Sequence, residues 1–236
     1  MKIVALIPAY NEESRVGEVV SKAQPYVDEI VVVDDGSLDR TSDVGRKAGA
    51  LVLKLPVNLG YGAALHTGYL FAYKNNFGAL VQLDADGQHN ADDIPALLSP
   101  IKEGKADVVI GSRFLSNSNW QGSWIRRGGM RFFSLLIRVL SGKVITDPTS
   151  GFQAMNKCVI RRLALGAYPD DFPDADVLIM LLREKFRIME VGVSMAPPPP
   201  GKRMHSGLKP FYYVAKMLLS VLVVMLRVRE ETINDS

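Results

Sequence analysis

Val81-Gln-Leu-Asp-Ala-Asp-Gly-Gln-His-Asn90 is an apolar run that ends in two carboxylates one residue apart, followed by a glycine, an amide and an imidazole. A short apolar segment closed by a turn signal reads as a buried strand. A strand that stops at Asp84 and Asp86 concentrates negative charge at a sheet edge, which is unfavourable unless a cation or a donor-rich ligand offsets it. One reading is therefore a metal site; the other is a solvated Asp-Gly turn. A calcium loop of the EF-hand kind is excluded, because His89 stands where that loop needs glycine and Pro95 where it needs a bidentate glutamate.

Working outward, the same device recurs. Apolar runs at Ile3 to Ile7, Glu29 to Asp34, Leu51 to Leu55, Ala79 to Leu83 and Asp107 to Ile110 are rich in Val, Ile and Leu without polar alternation, as in strands covered on both faces. Between them, Glu12 to Ala23, Leu38 to Ala48, Gly62 to Asn75 and Asp92 to Glu103 have the length of crossover helices, with Ser37 and Asn90 as caps and Gly49 and Gly104 as stops. The pattern predicts an α/β fold, an open and mostly parallel sheet with helices on both faces. Such sheets bind ligands beyond the carboxyl ends of their strands. That rule gathers Pro8, Tyr10, Asn11 and Glu12, then Asp34 to Ser37, then Asp84 and Asp86, then Ser112 and Arg113, along one edge.

Composition agrees with an ordinary globular chain: 236 residues, 47% hydrophobic, 22% charged and a formal net charge of +3. That charge is too mild to point to nucleic acid, and matters only where basic residues cluster, which they do late in the chain. The single cysteine, Cys158, permits no intrachain disulfide and fits a reduced, cytoplasmic setting. Met1-Lys2 runs straight into an apolar stretch too short for a leader, so it is read as the first strand.

Beyond Arg113 the pattern changes. Leu115 to Gly122 reads as a polar loop, Met130 to Leu140 as a helix, Asp147 to Phe152 as a turn re-entering the fold, Val177 to Lys185 as a helix and Arg187 to Met195 as a last strand. Pro197 to Pro200 form a stiff spacer. Residues 1–200 are thus expected as one domain and 201–236 as a basic, apolar tail. Lys216 interrupts that tail and leaves only Met217 to Leu226 uncharged, far short of the roughly 20 residues that span a bilayer. With Lys202, Arg203, Lys209, Arg227 and Arg229 around it, the tail reads as a helix on an anionic membrane surface. The alternative is a helix packed on the sheet, on a membrane-protein partner or on a second copy in a homodimer.

Taken together, Pro8-Ala-Tyr-Asn-Glu12, Val31-Val-Val-Asp-Asp-Gly-Ser37, Asn58-Leu-Gly60, Asp84-Ala-Asp-Gly-Gln88, Gly111-Ser-Arg-Phe114 and Asp147-Pro-Thr-Ser-Gly-Phe152 resemble the inverting nucleotide-sugar glycosyltransferases of family 2, which have the GT-A fold. Within them the chain is similar to dolichyl-phosphate mannosyltransferase and related polyprenyl-phosphate glycosyltransferases. The resemblance implies a donor site in which Pro8, Tyr10 and Glu12 contact the nucleotide and Val33 and Asp35 hold its base or ribose. It implies that Asp84, Ala85, Asp86 and Gln88 surround the sugar diphosphate and its Mg²⁺ or Mn²⁺, with Asp84, Asp86 and Gln88 as the metal set. Arg113, Arg126, Arg127 and Arg131 are expected to meet the phosphate of a lipid-phosphate acceptor, at the inner face of a membrane. The proline run departs from the family, whose members carry a basic residue before a Gly-x-Ser turn there; Gly201-Lys-Arg-Met-His205 keeps the glycine with its charge displaced.

The chemistry stands beside the analogy. Asp86 and Arg113 are the expected catalytic groups, because a departing nucleotide diphosphate gathers negative charge that a hard cation and guanidinium groups offset. A lipid phosphate, with a second pKa near 6, supplies its own oxyanion. A sugar-hydroxyl acceptor on an envelope glycan would need a base, for which Asp176 is the candidate; a helix N-terminal carboxylate is its structural alternative. A dinucleotide-dependent dehydrogenase is excluded, since Pro8-Ala-Tyr-Asn-Glu12 replaces Gly-x-Gly-x-x-Gly after the first strand. A sugar-phosphate nucleotidyltransferase would need a glycine-rich basic loop there and finds none. A non-catalytic nucleotide-sugar-binding protein is the alternative of another class.

Overall fold

The computed structural model describes residues 1–115, 133–140, 142–166 and 175–196. A seven-stranded sheet is built from β1 (Ile3–Ala9), β2 (Glu29–Asp34), β3 (Leu51–Lys54), β4 (Ala79–Gln82), β5 (Val108–Ser112), β6 (Gln153–Asn156) and β7 (Ile188–Gly192), in the order β3-β2-β1-β4-β6-β5-β7. Every strand runs the same way except β6, which pairs antiparallel with β4 and β5. The helices are α1 (Val16–Ala23), α2 (Thr41–Lys47), α3 (Tyr61–Lys74), α4 (Ile94–Lys102), α5 (133–140), α6 (Lys157–Leu165) and α7 (Ala175–Arg183).

Both sheet faces are covered, as the unalternating apolar strands require. Val4, Leu6, Val31, Val33 and Leu80 pack beneath α3, α6 and α7. Their neighbours Ile3, Ala5, Ile7, Ile30, Val32 and Val81 pack beneath α1 and α4 on the other face. Burying a side chain such as Leu6 or Leu80 contributes roughly 1.5–3 kcal/mol, so the central strands are anchored from both sides.

Two sequence expectations are corrected. Residues 12–15 form a turn before α1, with the Glu12 carbonyl accepting from Arg15 N at 3.0 Å. Ser37 caps nothing: its Oγ accepts from Asn11 N at 2.9 Å, and α2 begins later, at Thr41, whose amide is taken by Asp39 Oδ1 at 2.9 Å. Asn90 does cap, its side chain accepting from Asp92 N, and Gly49 and Gly104 follow α2 and α4 with φ of 98° and 66°.

The sequence showed no strand at β6. Its four residues pair Gln82 with Gln153 and Val109 with Ala154, which separates the end of β4 from the end of β5 by one strand width. Because β6 runs against the others, the turn that leads into it, Asp147 to Phe152, descends between those two ends. The middle of the ligand edge is therefore lined by a segment distant in sequence.

Candidate functional site

The first part of the edge is a set of loops locked to one another. The carbonyl of Ala9 accepts from Asp35 N at 2.9 Å, drawing the loop after β2 against the loop after β1. Asn11, with φ of 53°, accepts from Leu38 N at 3.0 Å, and Glu12 N donates to Thr41 Oγ1 at 2.8 Å. Buried Asp34 accepts from Ser37 N at 2.8 Å and from the Ser42 hydroxyl. Gly36 has φ of 70°, and a Cβ there would stand 2.4 Å from the Val57 carbonyl carbon, so only glycine lets the loops after β2 and β3 meet. Asp35 accepts from Leu59 N at 2.8 Å and Gly60 N at 3.0 Å, fixing the entry to α3.

At the centre, Asp84 is gripped from three directions. Tyr61 Oη donates to its Oδ1 at 3.0 Å. Its amide donates to His89 Nδ1 at 3.1 Å, which places the imidazole proton on Nε2, 3.7 Å from Oδ2. His89 is itself stacked on Phe152, ring centroids 4.9 Å apart. From below, Gly151 lies so close that a Cβ would come within 2.8 Å of Oδ2 and 3.0 Å of Oδ1. Asp86 is half-buried on the adjacent turn and accepts from Gln88 N at 3.0 Å and from the Gln88 side-chain amide. The segment after β7 closes this loop: Ala196 N donates to Gln88 O at 2.8 Å, Met195 bridges His89, and Ser194 N donates to Asp93 at 2.7 Å.

Across β6, Arg113 is held in a fork. Its Nε and Nη2 donate to Asp147 at 2.6 and 2.5 Å, its backbone amide donates to Asp147 Oδ2 at 3.0 Å, and Nη2 also reaches Thr149 Oγ1 at 3.2 Å. Asp147 has no exposed surface. Its turn is in turn pinned by Glu190 of β7, which accepts from Thr146 N at 2.8 Å and Asp147 N at 2.9 Å. The Arg113 charge bears on Asp84, so both lie in one electrostatic site.

Asp84, Ala85, Asp86, Gln88 and Arg113 thus converge with Tyr10 and Glu12 at the carboxyl edge. Tyr10 is 41% exposed and Glu12 Oε2 accepts from Arg15 at 3.2 Å, while Pro8 is buried in β1. Val33 is a core residue, since the alternation of β2 turns it beneath α3. Asp35 accepts from the Leu59 and Gly60 amides, one on each oxygen. Asp176 lies in the first turn of α7, 1% exposed, with Oδ1 accepting from Val177 N at 2.9 Å. Arg126, Arg127, Arg131 and the tail 201–236 lie outside the described residues. Sequence reasoning missed Tyr61, Glu190 and Gly151; only Gly151 carried a signal, as a glycine inside the Asp147 to Phe152 turn.

Among the described residues no three or more His, Cys, Asp and Glu side chains gather into a metal cage. Asp84 and Asp86 nevertheless fit a hard divalent ion that takes one or two carboxylates and completes its shell with water and phosphate oxygens. Burial pushes the Asp84 carboxyl above its ordinary value of 3.8; His89 counters this, Asp86 reinforces it, and Tyr61 and Arg113 counter it more weakly. A carboxyl raised on folding gives its full stabilisation below 3.8, and loses it as pH climbs through the raised value. The metal-free protein therefore loses this contribution as pH rises through the raised value. Asp84→Asn, which cannot ionise, is expected to flatten the fall in melting temperature that wild type shows as pH climbs above about 4; a fall as steep as that of wild type contradicts this.

Among the described residues no helix is long and apolar enough to cross a membrane. The model of the family described as Glycosyl transferase family 2 matches residues 4–164. The chain is 30% identical over 211 residues to the UDP-N-acetylglucosamine–dolichyl-phosphate N-acetylglucosaminyltransferase of Methanococcus voltae, covering 81% of this chain and 84% of that one. It is 30% identical over 223 residues to the polyprenol monophosphomannose synthase of Mycolicibacterium smegmatis, covering 87% and 82%. Among solved structures, glucosyl-3-phosphoglycerate synthase from Mycobacterium tuberculosis, in complex with Mn²⁺, UDP and phosphoglyceric acid, matches with a TM-score of 0.73 at 21% identity, over 98% of this chain and 80% of that one. At that identity the likeness is one of fold, and the fold is the GT-A arrangement that the motifs lead one to expect.

Proposed function

The chain belongs to glycosyl transferase family 2, and on that premise we propose that it moves a sugar, with inversion, from a nucleotide diphosphate sugar to a polyprenyl phosphate, in a divalent-metal-dependent reaction. The observation that carries the proposal is the placement of Asp84 and Asp86 at the end of β4, one strand across from a guanidinium held in a fork at the end of β5. One half suits a cation-bridged diphosphate and the other a phosphate. The two relatives, a dolichyl-phosphate N-acetylglucosaminyltransferase and a polyprenol monophosphomannose synthase, support the acceptor class; the complex of the M. tuberculosis synthase with Mn²⁺ and UDP supports the donor class and the metal.

In this reading Pro8, Tyr10 and Glu12 flank the nucleotide, with the loop of Asp34 and Asp35 shaping its seat. Asp84 and Ala85 face the donor's diphosphate and sugar. Asp86, with Gln88 beside it and Asp84 within the same loop, holds Mg²⁺ or Mn²⁺, which when bound offsets the charge that gathers on the leaving diphosphate. Arg113, joined by Arg126, Arg127 and Arg131, binds the acceptor phosphate and aligns its oxyanion with the sugar. Asp147 holds the planar guanidinium in place, so its orientation is set before substrate arrives. No general base is needed. The burial of Asp176 supports the phosphate acceptor over a sugar hydroxyl. The basic tail would hold the enzyme at the inner face of the membrane, where a lipid phosphate is presented.

The test is nucleotide diphosphate release from UDP- and GDP-sugars, with Mn²⁺ or Mg²⁺, in the presence and absence of polyprenyl phosphate in detergent. Release that depends on both the metal and the lipid phosphate is expected. Release stimulated only by a sugar-hydroxyl acceptor, or binding without turnover under every condition, contradicts the proposal.

A further inference from the structure

Behind Asp84 lies a line of polar groups that the proposed reaction does not itself call for. Tyr69 Oη donates to Gln82 Oε1 at 2.7 Å, Gln82 Nε2 donates to Tyr61 Oη at 3.1 Å, and Tyr61 Oη donates to Asp84 Oδ1 at 3.0 Å. Gln82 is 3% exposed and Tyr69 2%. Gln82 is the last residue of β4, a position that the apolar character of its neighbours Leu80 and Val81 would fill with a hydrophobe. A buried amide is unfavourable unless each of its groups is paired. Here both its oxygen and its nitrogen are paired, and the pairing has a direction.

The direction follows from the chemistry of the amide. Its oxygen can only accept and its nitrogen only donate, so Tyr69 must give its proton to Oε1 and Tyr61 must receive one from Nε2. A phenol has a single proton. With its oxygen occupied by the incoming amide hydrogen, Tyr61 spends that proton on Asp84 Oδ1. We propose that Tyr69, Gln82 and Tyr61 form a one-way hydrogen-bond relay that fixes the orientation of the Asp84 carboxylate for the donor, holding Oδ1 while His89 faces Oδ2 at 3.7 Å. They are positioning residues. The entry to α3 is fixed by Asp35 through Leu59 and Gly60, so the loop of β2 sets the relay's last link.

The inference rests on the reading of Asp84 as a donor-side group, and two measurements separate the two. The first needs no ligand: the side-chain amide resonances of Gln82 are followed by ¹⁵N–¹H NMR. Asp84→Asn is expected to shift them, and the shift is expected to vanish when Asp84→Asn is made in the Tyr61→Phe background. Gln82 resonances indifferent to Asp84→Asn, or shifted equally in both backgrounds, overturn the relay. The second is the affinity of UDP and of GDP in the presence of Mn²⁺, by calorimetry. Tyr61→Phe, which removes a hydrogen bond to a charged group, is expected to weaken the tighter of the two about tenfold. Gln82→Met is expected to weaken it less, and to add nothing to Tyr61→Phe in the double variant. Unchanged affinity in Tyr61→Phe, or losses that multiply in the double variant, overturn the inference. A wild-type chain that binds neither nucleotide overturns the donor reading instead, and leaves the relay to be decided by the resonances.

Discussion

Replacing Asp147 by alanine is expected to destabilise the protein by about 3–5 kcal/mol, the range for removing one partner of a buried ion pair. Asp147 has no exposed surface and accepts from the Arg113 backbone amide, Nε and Nη2. Without it the guanidinium keeps its charge in a site where its side chain is 15% exposed, and a backbone amide loses its acceptor. The turn also loses its hold on the end of β5, though Glu190 still grips Thr146. Chemical denaturation measures the difference directly; a loss below about 1 kcal/mol would show that Arg113 finds water or another acceptor. Asp147→Asn keeps the shape but cannot accept with both atoms, and is expected to fall between the two.

Asp86→Ala is expected to act in the opposite way, sparing the fold and removing function. Asp86 is half-buried and its hydrogen bonds are to Gln88 within its own turn, so its loss is expected to change stability by no more than about 1 kcal/mol. Under the proposed function the same change takes away a carboxylate of the metal set. Turnover is then expected to fall at least 10²- to 10³-fold, the scale on which one preorganised charge-stabilising group acts. A variant retaining more than about a tenth of wild-type turnover would place the metal elsewhere.

Much of the architecture was legible because it is written in local patterns. The strand ends at Ala9, Asp34, Gln82 and Ser112 lie within a residue or two of where apolar runs meet polar motifs, and the covered sheet follows from their lack of alternation. What stayed hidden depends on distant pairing. β6 is four residues long and takes its place only through β4 and β5, so nothing local marks Gln153 to Asn156 as a strand. Its antiparallel direction brings Gly151 beneath Asp84 and Asp147 beneath Arg113, contacts between residues more than thirty positions apart.

The site was legible to the same degree. The loop Asp84 to His89 announced itself by its charge, and His89 within it accepts from Asp84 N and stacks on Phe152. The supporting layer did not announce itself. Tyr61, Gln82 and Tyr69 look like ordinary helix and strand residues until α3 is laid on the sheet, and Glu190 looks like a surface charge until β7 is paired with β5. The hold of Asp35 on the Leu59 and Gly60 amides was hidden for the same reason, since they belong to a segment two dozen residues further on.

The central claim is that the loop after β4 holds a divalent cation together with a nucleotide diphosphate. Calorimetric titration of UDP and GDP into wild type and Asp86→Ala, each with Mn²⁺ and with a chelator in its place, tests it most directly. The expected result is wild-type affinity for one of the two nucleotides that falls at least tenfold when Mn²⁺ is removed, and an Asp86→Ala variant that is folded, binds weakly and is indifferent to the metal. Equal wild-type affinity with and without Mn²⁺, or an Asp86→Ala variant that keeps the metal dependence, would contradict the claim.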